Sequence, residues 1–210
     1  MALISRGRRC DQGPGTGRQR GFTLIEALIA FVILSVGLLG IVSLQAMAKT
    51  SQHLALQHTR AVTIADAIIE RIRVNPAGMA TYQNVGPLGG GTLGASEPAA
   101  NCRDAGACTA DELAAYDLWA WERALDGAGA TIGTTNTSGL IEPRGCIVFA
   151  AAPDRLRSGQ LSVIIQWRGL QESYDAVQGS EATCGGEAAG TDKYRRQVVT
   201  NTYVVDEEEF

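Results

Sequence analysis

The sequence predicts an α+β fold, in which one long N-terminal helix packs on a small antiparallel β-sheet head that carries a second, shorter helix. Three patterns lead to this prediction. Residues 22–74 have the composition and period of a single long helix, and residues 109–125 form a capped helical segment. Beyond residue 139 the chain is rich in the β-branched and aromatic residues that are typical of strands.

The first part of the long helix has the length and composition of a membrane span. Residues 1–20 contain five arginines and one aspartate, and an apolar run follows in which Glu26 is the only ionisable side chain before Lys49. The 22 uncharged residues 27–48 would form a helix of about 33 Å, enough to cross a hydrocarbon core of about 30 Å. Because positively charged segments resist translocation, we expect a cytoplasmic N-terminus and an exported head.

A removable secretory signal is the alternative interpretation of this run. Ala46-Met47-Ala48 has the A-x-A form of a signal peptidase site. Such signals, however, have apolar regions of about 7 to 15 residues, and this run is longer and contains an acid. We therefore favour a helix that is retained.

The second part of the helix, residues 49–74, changes to an amphipathic pattern. Gln57, Arg60 and Glu70 fall on its polar side, and Asn75-Pro76 ends it because proline disfavours helix at the preceding residue. The apolar side consists of Leu54, Ala61, Ala65, Ile68 and Ile72.

The head begins with a loop and the second helix. The Gly-, Pro- and Ala-rich residues 84–101 predict a flexible loop with little to bury. Thr109 and Glu112 have the spacing of a capping box, and Gly127 ends the helix. One face of this helix is predicted to contain Leu113, Tyr116, Trp119 or Ala120, and Arg123 or Ala124. We expect Trp119 and Trp121 to be used in packing rather than as a ligand platform.

The C-terminal part of the chain has the period of strands. Residues 153–159 suit a hairpin connection, and the acids at 206–209 are predicted to be a solvated tail. The predicted strands are 146–151, 161–167 and 196–205, with a fourth within 131–141.

The sequence contains few patterns that are typical of catalytic, metal-binding or nucleic-acid-binding sites. His53 and His58 are five residues apart, so they do not share the helix face that a metal pair at i and i+4 uses. The head contains no histidine, no nucleophile elbow and no P-loop motif, and the net charge of -4 does not favour nucleic-acid binding. We therefore expect no enzymatic activity, no cofactor, no metal site and no nucleic-acid partner.

The residues "GFTLIE" at 21–26, which follow a basic leader and begin the apolar helix, closely resemble the class III signal of type IV pilins and type II secretion pseudopilins. In that family a membrane prepilin peptidase cuts after the glycine and methylates the new N-terminal amine. The resemblance implies cleavage between Gly21 and Phe22, methylation of Phe22 and a type IV pilin-like fold. It also implies that Glu26 pairs with the Phe22 amine of a neighbouring subunit, whereas snorkelling of Glu26 to the headgroups is the alternative.

Within this superfamily the chain is most similar to minor pilins of the PilV type. The similarity rests on "RVNPAG" at 73–78 and on "ELAAYDLWAW" at 112–121 after two cysteines. It implies a pilus modification or assembly protein that joins other minor pilins at the pilus tip, primes assembly and supports adhesion or twitching motility. The implied partners are the prepilin peptidase, other minor pilins, the major pilin, a tip adhesin and the membrane. A type II secretion pseudopilin, or a membrane-anchored binding domain that does not polymerise, are the alternatives.

The cysteines fit an exported head. Cys10 would leave with the leader, and the remaining even set in an exported domain predicts two disulfides. Of the three possible pairings we favour Cys102 with Cys108 and Cys146 with Cys184. The expected organisation is a cleaved leader 1–21, a transmembrane or filament-core helix 22–48, its amphipathic continuation 49–74 and a periplasmic head 75–210, anchored in the inner membrane and located at the pilus tip when assembled.

Overall fold

The computed structural model describes residues 21–98, 102, 108–129, 131–133, 135–136, 139–173, 184 and 192–210. The leader residues 1–20 with Cys10, residues 99–101 and parts of 131–141 lie outside the described residues. The chain divides into two compact units, Met1–Met47 and Ala48–Phe210. The elements in chain order are α1 Leu24–Val74, a 3₁₀ turn Pro76–Gly78, α2 Met79–Gln83, α3 Ala110–Leu125, β1 Thr131–Ile132, β2 Thr135–Asn136, β3 Arg144–Ala151, β4 Gly159–Arg168, β5 Arg195–Val204 and a second 3₁₀ turn Glu207–Glu209.

The long helix and its end at Val74 confirm the sequence prediction. Asn75 still donates its amide to Arg71 O at 3.1 Å, and Pro76 then begins the 3₁₀ turn. The buried residues of the second part are Ala61, Ala65, Ile68, Ile69 and Ile72, together with Gln57. Gln57 was expected on the polar side, so that part of the prediction is wrong.

Helix α3 begins with the predicted capping box. The amide of Glu112 donates to Thr109 Oγ1 at 3.3 Å, and the Thr109 amide donates to Glu112 Oε2 at 2.8 Å. These hydrogen bonds from Thr109 lower the pKa of Glu112. The helix ends at Leu125, and Gly127 adopts the positive φ of 71° that is common just after a helix.

The buried face of α3 differs from the predicted one by about one residue. Ala114, Leu118, Trp121 and Leu125 point into the core, whereas Leu113 and Tyr116 are only half-buried. Two acids share the buried face, Asp117 and Glu122. Both acids have partners from other parts of the head, Asp117 from Tyr82 and Arg71 and Glu122 from the loop after α2. Trp119 and Trp121 are buried, as the packing interpretation requires.

The head contains a three-stranded antiparallel sheet in the order β3-β4-β5. Ile147 lies opposite Val163, and Ile165 lies opposite Val198, so these apolar side chains share one face. The three predicted strands are confirmed. The predicted fourth strand is not part of this sheet, because β1 and β2 have two residues each and pair with each other.

A single apolar cluster joins the sheet to the helices of the head. It combines the buried stripe of α1 with the inner face of β4, where Leu161, Val163 and Ile165 are fully buried. Trp121 of α3 reaches across and donates its indole N–H to Ile64 O of α1 at 3.1 Å. Gly145 of β3 lies beneath Trp121, and a Cβ there would come within 2.5 Å of the indole ring. This close approach requires glycine.

A buried polar network fixes the end of α1 against α2 and α3. Asp117 accepts a hydrogen bond from Tyr82 Oη at 2.6 Å and forms an ion pair with Arg71 at 2.8 Å. Asn75 donates to Ala110 O at 2.7 Å. Burial, followed by the hydrogen bond to Asp117, raises the pKa of Tyr82 far above its ordinary value. The residues of "RVNPAG" are therefore next to the start of α3.

The Gly-rich loop after α2 is held by acids of α3. Glu122, 1% exposed, accepts hydrogen bonds from the amides of Gly89, Thr92 and Leu93. Asp126 accepts two more from the amides of Gly90 and Gly91. Leu88 is buried and forms an isolated antiparallel β-bridge with Gly145. Residues 84–98 are a loop, as predicted, in which only Leu88 and Gly89 are buried and five backbone amides are bound by acids of α3.

The acidic C-terminal segment is also bound to the head rather than solvated. Asp206, 4% exposed, pairs with Arg157 at 2.8 Å. Glu209 accepts the amides of Leu156 and Arg157, each at 2.8 Å, and Arg155 stacks over the Phe210 ring. The segment therefore fastens the turn between β3 and β4, and the prediction of a solvated tail is wrong.

Two disulfide bonds join Cys102 to Cys108 and Cys146 to Cys184, with Cα–Cα distances of 5.7 and 5.8 Å. They are the pairs that the sequence favours. The first closes a loop of sequence separation 6, and the second closes one of 38 and ties β3 to Cys184.

We expect the longer disulfide to stabilise the head more. For loops of these lengths, chain entropy predicts a loss of about 4 kcal/mol for Cys146→Ser with Cys184→Ser and about 2 kcal/mol for Cys102→Ser with Cys108→Ser. Non-reducing peptide mapping tests the pairing, and denaturant unfolding of the two double variants tests the order. A peptide that links Cys102 to Cys184, or an equal loss in both variants, would contradict the expectation.

Glu209 should make the stability of the head fall at low pH. Burial acts to raise its pKa, but hydrogen bonds from Ser158 and from the amides of Leu156 and Arg157 outweigh burial and lower the pKa to about 2. Its contribution is therefore complete above the unfolded value of about 4.3 and is lost as the pH falls toward the folded value.

Unfolding of the wild type and of Glu209→Gln at about pH 6 and about pH 3 tests this dependence. The wild type should lose more stability over this interval than Glu209→Gln does. The exposed neighbour Glu207 provides a matched control, because Glu207→Gln should behave like the wild type. Equal losses in the wild type and Glu209→Gln would show that the contact does not form in solution.

Candidate processing and assembly site

The residues expected to be processed lie just outside the first helix. Gly21, Phe22 and Thr23 are non-helical and exposed, and α1 begins at Leu24. The Phe22 side chain is 77% exposed. The Gly21–Phe22 peptide bond is therefore exposed in this structure and lies outside the helix that begins at Leu24.

Thr23 caps α1. Its Oγ1 accepts a hydrogen bond from the amide of Glu26 at 3.3 Å, and its carbonyl accepts the amide of Ala27 at 3.2 Å. The sequence interpretation overlooked this role. The signal was present, because Thr23 and Glu26 have the same T-x-x-E spacing as the capping box at Thr109.

Glu26 occupies the first turn of α1 and is exposed. A carboxylate here interacts favourably with the positive end of the helix dipole. Among the residues that the structure describes, Glu26 has no ion-pair partner. Phe22 and Glu26 are four residues apart in the chain, and Glu26 lies in the first turn of α1.

The first part of α1 presents an apolar surface on every side. The helix Leu24–Val74 contains one segment that is long and apolar enough to cross a membrane, judged by length and composition, and none of that segment is buried. The large exposed side chains of its first turns include Leu24, Ile25, Leu28, Ile29, Phe31, Val32, Ile33 and Leu34.

The described part of the head contains cavities. One of about 600 Å³ lies on the outer face of the sheet beside the Cys146–Cys184 disulfide, and one of about 430 Å³ lies between α1 and residues 139–141. Within the described part of the chain, no group of three or more His, Cys, Asp or Glu side chains is placed to hold a metal ion.

Two family models match the N-terminal half of the chain. Residues 16–42 match the prokaryotic N-terminal methylation motif, and residues 43–119 match the family described as type IV pilin Tt1218, Tt1218-like. The first match includes the Gly21–Phe22 bond and Glu26, and the second ends within α3. No curated protein and no solved structure matches the chain significantly.

The two matches cover the segment that carries the processing residues, the apolar helix and the polar network at the start of the head. The long helix, the three-stranded antiparallel sheet and the short helices have the architecture of a type IV pilin. The chain is therefore similar to type IV pilins of the Tt1218-like family over residues 43–119 and matches the prokaryotic N-terminal methylation motif over residues 16–42.

Proposed function

We propose that this chain is a minor pilin of the PilV type, a structural rather than enzymatic subunit that joins other minor pilins in a complex at the pilus tip. There it primes assembly and supports adhesion or twitching motility. In this proposal the prepilin peptidase removes residues 1–21 and methylates Phe22. The mature protein is held in the inner membrane by residues 22–48, with its head in the periplasm, until it enters the pilus.

The observation that carries the proposal is the presence of one acid, Glu26, in the otherwise apolar and exposed first part of α1. A carboxylate in the bilayer costs about 3 kcal/mol on insertion scales, so such a residue normally has a partner. Processing would create a positive amine at Phe22, one turn before Glu26. The amine of a neighbouring subunit supplies a partner of opposite charge, and attraction between the two groups is stronger in an apolar filament core than in water.

Features of the head support the assignment as a minor pilin. The "RVNPAG" turn lies beside the start of α3, the helix that carries the other segment suggesting the PilV type, because Asn75 donates to Ala110 O. A type II secretion pseudopilin would share the N-terminal features, so the head and the recovered partners are what separate the two assignments.

Cleavage should depend on Gly21. We expect the mature protein to begin with methylated Phe22, and Gly21→Val should retain the leader because the added side chain obstructs the peptide bond to be cut. Intact mass of the membrane fraction measures both. A mature N-terminus at Lys49 would indicate secretory signal removal and contradict the proposal.

Glu26 should matter for association rather than for processing. Glu26→Ala should be cleaved and inserted normally, yet it should recover less of the other minor pilins on co-purification and reduce surface piliation, because the buried amine of the neighbour loses its partner. Quantitative co-purification from membranes at equal protein level measures this effect.

Thr23→Ala is the matched control for Glu26→Ala. It removes the helix cap in the same turn, at a cost of about 1 kcal/mol, while it keeps the charge. Association should therefore persist in Thr23→Ala. If both variants lose association equally, the start of the helix matters rather than charge pairing, and if neither does, snorkelling of Glu26 is the better account.

A further inference from the structure

The two ends of the three-stranded sheet carry opposite charge. Because neighbouring strands are antiparallel, the start of β3, the end of β4 and the start of β5 meet at one end of the sheet. At this basic end, residues 142–144, 168–173 and 192–196 contain five bases and three acids. At the acidic end, residues 152–158 and 205–209 contain five acids and two bases. The ten residues of β4 separate the two ends by about 30 Å.

The basic end contains a pair of like charges within the sheet. Arg168 of β4 lies directly opposite Arg195 of β5, an arrangement that is destabilising in a sheet. Arg168 has acids nearby, since Glu142 and Asp192 lie at 3.7 and 3.6 Å from its Nη1. Arg195 instead donates to the Glu142 carbonyl at 2.7 Å, which does not neutralise its charge. Arg195→Glu would suit the isolated head better, so the arginine indicates an acid that arrives from outside.

Both ends present further exposed charge. Among the residues that the structure describes, Lys193, Arg196 and Glu207 form no ion pair. Lys193 and Glu207 are also exposed. Glu208 lies 3.3 Å from Arg157, but its side chain remains 78% exposed. Each end of the sheet therefore carries accessible charge that the other end can neutralise.

We propose that the basic end of one head binds the acidic end of the head of a second copy of this chain. Lys193 and Arg195 of one copy then face Glu207 and Glu208 of the next. A nucleic acid or an anionic lipid surface would use the basic end alone, whereas a second copy accounts for both ends. The contact is head to tail, so it forms rings or open filaments rather than a closed pair. This inference goes beyond the proposed function, because it concerns contacts between copies of this chain.

Two charge-reversed variants test the contact in the full-length processed protein in detergent. Lys193→Glu with Arg195→Glu makes the basic end acidic, and Glu207→Lys with Glu208→Lys makes the acidic end basic. Each variant alone brings like charges together, so its self-association should weaken about tenfold. A mixture of the two variants restores opposite charges at every contact and should associate like the wild type.

Fluorescence-detected sedimentation at about 50 mM and about 500 mM salt measures these changes, and wild-type association should weaken at the higher salt because salt screens exposed charges. Asp66→Arg is the control, since Asp66 is an exposed residue of α1 outside both ends. It should associate like the wild type.

Thermal unfolding separates an interface role from a structural one. Lys193→Glu with Arg195→Glu places opposite charges across β4 and β5, so its melting temperature should not fall while its association does. If that variant melts earlier than the wild type, the exposed Lys193→Glu alone takes its place in the mixture.

Three results would overturn the inference: no self-association of the wild type, unchanged association in the reversed variants, or no recovery in a mixture of variants that melt like the wild type. Binding of the wild type to phosphatidylglycerol vesicles through the same bases, without self-association, would assign the basic end to anionic lipid instead. The proposed function would stand in each case, because co-purification with other pilins tests it separately.

Discussion

The close packing of the second part of α1 against the inner face of the sheet is the interaction on which the head depends. Ala61, Ala65, Ile68 and Ile72 are fully buried and form one stripe of the helix. The two alanines have small side chains, which allow the neighbouring elements to approach the helix backbone closely enough for Trp121 to donate to a carbonyl of α1. Apolar burial of this kind stabilises the folded state by about 25 cal/mol per Å² of apolar surface removed from water. The sheet and α3 therefore pack where they cover this stripe.

Buried acids of α3 hold in place segments that the apolar core does not position. Asp117 brings Tyr82 and Arg71 together, and Glu122 holds the Gly-rich loop through three backbone amides. A carboxylate that accepts several hydrogen bonds can remain buried at acceptable cost, whereas an unpaired one cannot. The head thus uses paired charge to order segments whose own sequences have little to bury, and the C-terminal acids do the same for the β3–β4 turn.

The two parts of α1 have different surfaces, although they form one continuous helix. The first part exposes apolar side chains in every direction and has a single acid near its start, which suits lipid or other helices as surroundings. The second part is apolar on one stripe only and belongs to the head. Thr23 determines where the first part begins, and it leaves the Gly21–Phe22 bond outside the helix. These features fit the proposed processing at Gly21–Phe22, membrane anchoring and assembly with other pilins.

The sequence by itself determined the elements whose causes are local. The end of α1 at Asn75-Pro76, the capping box of α3 and the three strands of the sheet depend on residues within a few positions of one another, so a pattern within a short window predicts them. The exposed start of α1 and the Gly21–Phe22 bond follow from the same local signals, although the cap at Thr23 was overlooked. Only the tertiary structure decided which polar side chains are buried. Asp117 is buried because Arg71, 46 residues away in the chain, pairs with it, and Gln57 is buried although the described residues offer its Oε1 no hydrogen bond. A hydrophobic period assigns every polar residue to solvent, since the partner that makes burial favourable is far away in the chain and is brought close only by folding.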